Sequence, residues 1–126
     1  MTRSATKERN VRTPPFGAPH VFVLAVVEGD DPAAVYRIQR SESVLGRAER
    51  ADLRIDDPEI SNRHCVLFVD GPLCGLRDVG SRNGTFVNGR RLRPDVLERL
   101  RHLDEIEVGS VRLVFLAGRF RPRPES

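Results

Sequence analysis

The feature that most constrains the fold of this chain is the pair Asn88-Gly89, which separates two short β-forming runs. Asn-Gly in this position is the strongest short-range signal for a β-hairpin, because both residues tolerate the positive φ angles of a type I′ turn. We therefore expect residues 85–87 and 90–92 to pair as antiparallel strands. Turn residues recur at short intervals along most of the chain, and this spacing is typical of an all-β sandwich.

The other strands are predicted from β-branched runs and from period-two alternation between turn residues. Residues 95–103 are ambiguous, because their apolar side chains fit helical spacing over hardly two turns. We expect an irregular connection there, with a short strand near Leu100. The remaining predicted strands are residues 20–27, 35–39, 43–46, 53–55, 65–69, 75–79, 105–108 and 111–116.

Charge divides the 126-residue chain into a slightly anionic centre and two cationic ends. Residues 1–20 carry four basic and one acidic side chain, residues 117–126 carry three and one, and residues 21–116 carry 14 and 16. The net charge of +3 therefore consists of +3 and +2 from the ends and −2 from the centre. We predict a disordered N-terminal arm (residues 1–19), one β-sandwich domain (residues 20–117) and a basic C-terminal tail (residues 118–126).

Two cysteines and three histidines limit the chemistry available to the chain. Cys65 opens one strand of a hairpin and Cys74 follows its Asp70-Gly71-Pro72 turn, so the two should not lie opposite each other. Free thiols in a reducing cytoplasm are the simpler interpretation. Cysteines and histidines show no ligand spacing, so we predict no metal site. The chain starts without a signal peptide and the apolar run 21–27 is too short to cross a bilayer, so we expect a cytoplasmic protein that does not bind membranes.

Polar loops that could bind a phosphorylated peptide follow several of the predicted strands. A doubly charged phosphate is held best by a planar guanidinium, a hydroxyl donor and fixed backbone N–H groups. Arg47 can supply the guanidinium, Ser61 the hydroxyl and Asn62 a backbone N–H group. Asn83, whose amide both donates and accepts, can read the main chain of an extended peptide. Gly84 allows the tight loop that presents Asn83.

Four motifs taken together resemble those of forkhead-associated (FHA) domains, over about residues 21–117. The resemblance implies an eleven-stranded antiparallel β-sandwich of two sheets, whose loops at one end recognise phosphothreonine peptides. It implies neither a cofactor nor a small-molecule substrate. The motifs are Gly46-Arg47, Ser61-Asn62-Arg63-His64, the run 80–89 with the sequence GSRNGTFVNG, and the run 104–109 with the sequence DEIEVG.

The resemblance also implies which residues contact the phosphopeptide. Arg47 and Ser61 would hold the phosphate, and Asn83 would hold the main chain of the peptide. The remaining contacts would come from Asn62, largely through its backbone, and from Arg63 and Arg82, which would flank the peptide.

A second set of residues is expected to shape the site without touching its ligand. Gly46, Gly84 and His64 are architectural by the same resemblance, with His64 bracing the neighbouring loop. Asp78 and Asp104 are expected to tie down loops by accepting backbone N–H groups.

Two features depart from the usual FHA pattern. Leu103 stands where related domains often have glycine, and a leucine would be strained if that position requires a positive φ. The connection 93–100 is also long and charged. Three nearby arginines are interpreted as part of a solvated face: Arg90, Arg91 and Arg93.

We interpret the chain as a non-enzymatic phosphothreonine-binding module that recruits a partner phosphorylated by a Ser/Thr kinase. The same fold could instead act as an interaction scaffold that ignores phosphate, although Arg47, Ser61 and Asn83 argue against this. The arginines of the tails could bind nucleic acid, but they are few and have no aromatic stacking partner beyond Phe120. An enzyme would need a nucleophile with an oriented base, for which only Ser61 beside His64 is available.

Overall fold

The computed structural model describes residues 20–119, which form eleven strands in two sheets. This confirms the predicted all-β sandwich. No helix within these residues is long and apolar enough to span a membrane. In chain order the strands are β1 (His20–Glu28), β2 (Val35–Ile38), β3 (Glu42–Gly46), β4 (Leu53–Arg54), β5 (Cys65–Asp70), β6 (Leu73–Asp78), β7 (Thr85–Val87), β8 (Arg90–Arg91), β9 (Glu98–Arg99), β10 (Glu105–Val108) and β11 (Val111–Arg119).

The strands are distributed over a six-stranded sheet in the order β2-β1-β11-β10-β7-β8 and a five-stranded sheet in the order β4-β3-β5-β6-β9. One pair departs from the predicted antiparallel order. β3 and β4 run parallel, with Leu45 opposite Leu53 and Gly46 opposite Arg54. The connection 47–52 returns the chain to the side of β3, so β4 continues in the same direction.

The core lies between the two sheets and is built from side chains that alternate along each strand. Phe22 and Leu24 of β1 point inward, as do Leu113 and Phe115 of β11. The rings of Phe22 and Phe115 stack with their centroids 5.7 Å apart. Most other core side chains are aliphatic, as expected for a chain without tryptophan. Burying one such side chain fully contributes about 1.5–3 kcal/mol, so the sandwich is held mainly by apolar area.

The two nine-residue strands β1 and β11 pair with each other and join the two ends of the described chain. His20 lies opposite Arg119 and Val26 opposite Leu113, with a shift of register before Glu28. β11 extends three residues beyond its predicted end at Leu116. The six-stranded sheet is therefore complete only when the first and last described strands are both in place.

The backbone φ angles test two of the predictions made from the sequence. Asn88 and Gly89 have φ values of 52° and 81°, and the strands on either side pair, which confirms the hairpin. Leu103 has a φ of 75°, so this position does adopt the left-handed conformation that favours glycine. Such a conformation costs an L-residue about 1–2 kcal/mol. β9 lies beside Leu100, where a short strand is predicted.

The predicted N-terminal arm (residues 1–19) lies outside the described residues, and so does the tail beyond Arg119. The domain limits drawn from the sequence therefore stay a prediction.

Candidate functional site

Three loops come together at one end of the sandwich. The first loop (residues 47–52) follows β3, the second loop (residues 55–64) lies between β4 and β5, and the third loop (residues 79–84) lies between β6 and β7. These loops carry all six side chains that the sequence predicts to contact a phosphopeptide: Arg47, Ser61, Asn62, Arg63, Arg82 and Asn83.

The first and second loops touch through their main chains. The N–H of Arg47 donates to the carbonyl of Ser61 at 3.0 Å, and the N–H of Ala48 donates to the carbonyl of Asn62 at 3.2 Å. A Cβ atom on Gly46 would lie 2.0 Å from the Asn62 carbonyl oxygen, closer than any side chain permits. A glycine before Arg47 is therefore required for the two loops to meet.

His64 is completely buried and joins the second loop to the third. Its Nδ1 accepts the N–H of Ser61 at 3.0 Å, and its Nε2 lies 2.8 Å from the carbonyl oxygen of Gly84. A neutral ring that accepts at Nδ1 carries its proton at Nε2, which therefore donates to Gly84. Burial lowers the pKa of His64, although the bond to Gly84 and the charge of Asp78 act in the opposite direction. Because both nitrogens are bonded to the main chain, neither can act as a base on the Ser61 hydroxyl.

Asp78 is buried beneath the third loop and fixes it through four hydrogen bonds. One carboxylate oxygen accepts the N–H groups of Gly80 (3.1 Å) and Ser81 (3.2 Å). The other accepts the hydroxyls of Ser81 and of Thr85, the latter at 2.7 Å. Burial alone would raise the pKa of Asp78, but these bonds outweigh it and hold the pKa below its usual value. The expectation that Asp78 ties down a loop is confirmed.

Asp104 accepts hydrogen bonds from a different loop, which lies farther from this end of the sandwich. Its carboxylate accepts the N–H of Arg101 at 2.7 Å and the side-chain amide of Asn88 at 3.0 Å. Asp104 therefore also fixes a loop, as expected.

Asp57 fixes the second loop, and sequence reasoning missed it. Its carboxylate accepts the N–H and the hydroxyl of Ser110 at 2.9 and 2.6 Å, and the N–H of Glu59 at 3.1 Å. Burial would raise the pKa of Asp57, but these bonds lower it overall. A Cβ atom on Gly109 would lie 2.8 Å from Ile60, so the β10–β11 turn is packed tightly against this loop. The bond to Glu59, two residues on, is a recognisable local Asx pattern, whereas the bond to Ser110 spans 53 positions.

Arg47 and Ser61 present donors suited to an anion. The Arg47 side chain is 44% exposed, and its Nε lies 3.5 Å from a carboxylate oxygen of the exposed Asp56, a weak type of pair. The Ser61 oxygen accepts the N–H of Arg82 at 2.9 Å, which leaves the hydroxyl hydrogen free to donate. The N–H of Asn62 has no acceptor among residues 20–119. A guanidinium, a hydroxyl and a backbone N–H are thus available on loops that touch each other.

Asn83 and Arg82 extend this surface along the third loop. The side-chain amide of Asn83 donates to the carbonyl of Glu59 at 2.9 Å, which leaves its oxygen and one N–H for a ligand. The Arg82 guanidinium donates to the carbonyl of Pro58 at 3.2 Å and so crosses to the second loop. Arg63 is exposed beside them. The two loops are therefore held together on their exposed side as well as beneath it.

Arg91 is a cation near the site that sequence reasoning placed only on a solvated face. It is exposed, but a Cβ atom on Gly84 would lie 2.7 Å from its Nε, so its guanidinium lies against the third loop. It also lies over the Phe86 ring, 6.0 Å from the centroid. The hairpin at Asn88-Gly89 brings Arg91 back beside Phe86, so its position follows from the turn.

Neither cysteine contributes to this surface. Cys65 and Cys74 are buried and free, and they lie opposite Asp78 and Val69 respectively, so the prediction that they do not face each other is confirmed. Burial raises the pKa of each thiol to about 12. Within residues 20–119 no three His, Cys, Asp or Glu side chains are grouped so as to hold a metal ion.

Known proteins resemble this chain in sequence. The FHA domain family model matches residues 43–109, which include all three loops. An oxoglutarate dehydrogenase inhibitor from Corynebacterium diphtheriae is 34% identical over 115 residues, which cover 91% of this chain and 76% of that protein. The glycogen accumulation regulator GarA from Mycolicibacterium smegmatis is 33% identical over 96 residues, which cover 76% of this chain and 59% of GarA. The chain thus spans only part of the length of these relatives.

Solved structures show the same fold. One, from a study of phosphothreonine-dependent FHA domain interactions, has 26% identity and a TM-score of 0.68, over 82% of this chain and 99% of that one. The FHA domain of MEK1, in complex with a phosphothreonine peptide of HOP1, has 34% identity and a TM-score of 0.63, over 79% and 96% of the two chains. From the family match, the relatives and the fold, we conclude that the chain belongs to the FHA domain family.

Proposed function

We propose that this chain is a phosphothreonine-peptide-binding module that recruits partners phosphorylated by Ser/Thr kinases and catalyses no reaction itself. One observation carries the proposal: three donors stand on loops that touch each other, the Ser61 hydroxyl, the Asn62 N–H and the Arg47 guanidinium, which is paired only weakly with the exposed Asp56. A phosphate of nearly two charges is held best by such a combination of planar cation and directed donors.

Binding would replace a weak contact by a strong one. Arg47 would leave the exposed Asp56 for the phosphate, and Ser61 would donate to the same group while still accepting from Arg82. The free oxygen and N–H of Asn83 would bond the N–H and carbonyl of the peptide main chain. The remaining cations on these loops, Arg63 and Arg82, would flank the peptide and favour its negative charge.

The buried bonds of His64 support binding over catalysis. A hydrolase built on Ser61 would need a base on its hydroxyl, but His64 accepts the main-chain N–H of Ser61 and donates to Gly84. The same bonds hold the two loops at a fixed distance, which favours a preformed binding surface.

Similarity to a dehydrogenase inhibitor and to a regulator of glycogen accumulation suggests how such binding is used. We propose that this chain, too, acts by docking on a protein partner, and that the phosphate decides when it docks. Its buried free thiols suit a reducing cytoplasm, where we place it.

The test is a titration of the full chain with degenerate peptide libraries carrying phosphothreonine, phosphoserine or unmodified threonine. We expect binding that requires phosphate and is tightest for phosphothreonine. A hydrogen bond to a charged group contributes about 1.5–3 kcal/mol, so Arg47→Ala should weaken binding at least about tenfold. Arg47→Lys should not restore it, because a point charge cannot form the bidentate contact.

Arg99→Ala is the matched control, since Arg99 is also exposed but belongs to β9, away from the loops. It should leave the affinity unchanged. Equal affinities of the wild type and Arg47→Ala for a phosphopeptide would refute the proposal in favour of a phosphate-independent scaffold.

A further inference from the structure

The outer face of the six-stranded sheet is apolar along β1 and the adjoining part of β11, where a solvated face should be polar. In β1, the inward Phe22 and Leu24 alternate with the outward Val21, Val23 and Ala25, so the strand is apolar on both sides. An antiparallel sheet with one face in water normally alternates apolar and polar residues, and continuous apolar runs mark strands covered on both faces. The sequence of β1 is therefore that of a covered strand.

Neighbouring strands extend this surface, which we term the outer patch. The register puts Ala25 between Val35 of β2 and Val114 of β11, and Val23 beside Leu116. No member of the patch belongs to the buried core or packs against it, and Val35 is 61% exposed. Contiguous apolar surface of this kind marks an interaction site. The outer patch consists of Val21, Val23, Ala25, Val35, Val114 and Leu116.

The two sides of the outer patch carry opposite charge. On the β2 side, the exposed Arg37 lies opposite Val23. On the β10 side, Glu105 and Glu107 are exposed, and with Glu28 they surround the single guanidinium of Arg112. One edge is thus cationic and the other has a net negative charge.

We propose that the outer patch is the interface of a symmetric dimer, covered by a second copy of this chain. Consider two patches packed face to face about a two-fold axis that lies in the interface and runs along the strands. β2 of each copy then lies over β10 of the other, so that Arg37 of one copy lies two residues, or roughly 7 Å, along the strand direction from Glu105 of the second. An axis across the strands would instead set β2 on β2 and β10 on β10, with like charges together. The charges select the first arrangement.

The dimensions of the patch indicate a weak dimer. The nine-residue β1 and β11 are about 30 Å long and the four-residue β2 and β10 about 13 Å, so four strands spaced about 4.8 Å apart offer roughly 400 Å² per copy. A standard stable interface takes about 800 Å² from each partner, so this one is only about half that size. We therefore expect a dissociation constant in the micromolar range.

The arrangement also sets the direction of the two binding sites, a point that rests on the proposed function. Rotation about an axis parallel to the strands leaves each strand pointing the same way. The three loops of both copies therefore lie at the same end of the dimer and open to the same side. A partner with two phosphothreonines could occupy both sites at once, and the second contact would then gain from a high effective concentration.

Sedimentation equilibrium of the full chain, without peptide, tests the dimer. The wild type should self-associate, and Ala25→Arg, which buries an unpaired charge at the centre of the patch, should raise the dissociation constant at least about tenfold. Val96→Arg is the matched control, because Val96 is an exposed apolar residue (47%) that follows β8 and lies off the patch. A wild type that stays monomeric into the millimolar range, or an Ala25→Arg variant that associates like the wild type, overturns the proposal.

Charge reversal tests the axis and does not depend on the folding of Ala25→Arg. Arg37→Glu and Glu105→Arg should each weaken association severalfold, and the double variant should regain much of the loss, because the pair is restored in the opposite sense. If either change weakened association only by disturbing the fold, the losses of the two single variants would add up in the double variant. Additive losses would therefore overturn the proposed axis.

A doubly phosphorylated peptide separates this inference from the proposed function. Wild type should bind it more tightly than a singly phosphorylated peptide, and Ala25→Arg should bind both alike. If neither peptide binds while the chain dimerises, the proposed function fails and the dimer stands. If the dimer binds the single peptide but gains nothing from the double one, the shared direction of the sites is refuted.

Discussion

The end of the sandwich beneath the three loops and the middle of the sandwich are both buried, but they are buried with different chemistry. Beneath the loops four of the hidden side chains are polar, Asp57, His64, Asp78 and Thr85, and they lie beside the apolar Ile55 and Ile60. In the middle they are apolar, with Phe115 and Leu113 among the most enclosed. One region is held by directed hydrogen bonds and the other by area removed from water.

The difference separates stability from site geometry. Apolar contact has no direction, so a core side chain can change shape and still contribute, provided that volume is kept. A buried carboxylate or imidazole fixes particular donors at particular distances, and a replacement leaves those donors unpaired. The middle should therefore determine how stable the fold is, and the polar end should determine where the loops stand.

The largest effect should follow from Phe115→Ala in the middle. Loss of a buried phenylalanine side chain costs about 3–5 kcal/mol in the free energy of unfolding, including the cavity that it leaves. The affinity of the remaining folded protein for a phosphopeptide should hardly change, because the main chain of Phe115 bonds Leu103 and Asp104 and none of the three loops. Urea unfolding and peptide titration on the same sample give both values. A large loss of affinity in folded Phe115→Ala would show that the two regions are not separable.

The next largest effect should follow from Asp78→Asn, which keeps the shape of the buried side chain but not its charge. An amide in place of the carboxylate could not accept all four bonds from Gly80, Ser81 and Thr85, and each unpaired buried donor costs about 1–3 kcal/mol. We expect a smaller loss of stability than in Phe115→Ala but a loss of phosphopeptide affinity of at least about tenfold. Calorimetry gives the affinity and urea unfolding the stability. Wild-type affinity in a destabilised Asp78→Asn would contradict the assignment of loop geometry to this carboxylate.

A pH series should show a third, smaller effect at His64. Because burial lowers the pKa of His64, the unfolded chain binds a proton at higher pH than the folded chain does. The stability that the neutral ring contributes is therefore full above the ordinary value of 6.5 and is lost as the pH falls through the lower pKa of the folded state.

Urea unfolding between about pH 7.5 and pH 5 measures this loss, and His64→Gln should flatten that part of the curve. The lowered pKa values of Asp57 and Asp78 place their own losses at more acidic pH, below the ordinary carboxylate value of 3.8. An unchanged slope in His64→Gln would mean that another group titrates there.

The smallest effect should arise at the exposed margin of the polar end, at Glu59. Its carbonyl holds the Asn83 amide, so its exposed carboxylate stands beside the residue proposed to read the peptide. We expect it to disfavour acidic residues about three positions after the phosphothreonine, by the roughly 0.2–1 kcal/mol typical of exposed charge pairs. Peptide libraries with the wild type and Glu59→Gln measure the preference. A preference for aspartate there, unchanged in Glu59→Gln, would contradict it.

Local signals were enough to predict most strands and the three loops. Alternation and turn residues can be read from a few neighbouring positions, as at Asn88-Gly89. They therefore predict an element without information on which other elements it packs against. β9 has two residues and no pattern of its own, so only its neighbourhood near Leu100 was predictable. The parallel pairing of Leu45 with Leu53 and the bond from Ser110 to Asp57 depend on how distant segments meet, and no short window of sequence contains that information.

The pairing of β1 with β11 has a consequence for how the chain folds. The two strands that complete the six-stranded sheet are the first and last of the described strands to be synthesised, with His20 opposite Arg119. Closing a loop of that length carries an entropic cost before any contact of the pair compensates for it. Folds dominated by such distant pairings reach their native state in milliseconds to seconds, whereas helical bundles need only microseconds to milliseconds. During translation, β1 can pair early with β2, but it must wait for β11 until the whole domain has left the ribosome. Its continuous apolar sequence is then exposed on both faces, so chaperone binding during synthesis should be focused on residues 20–28.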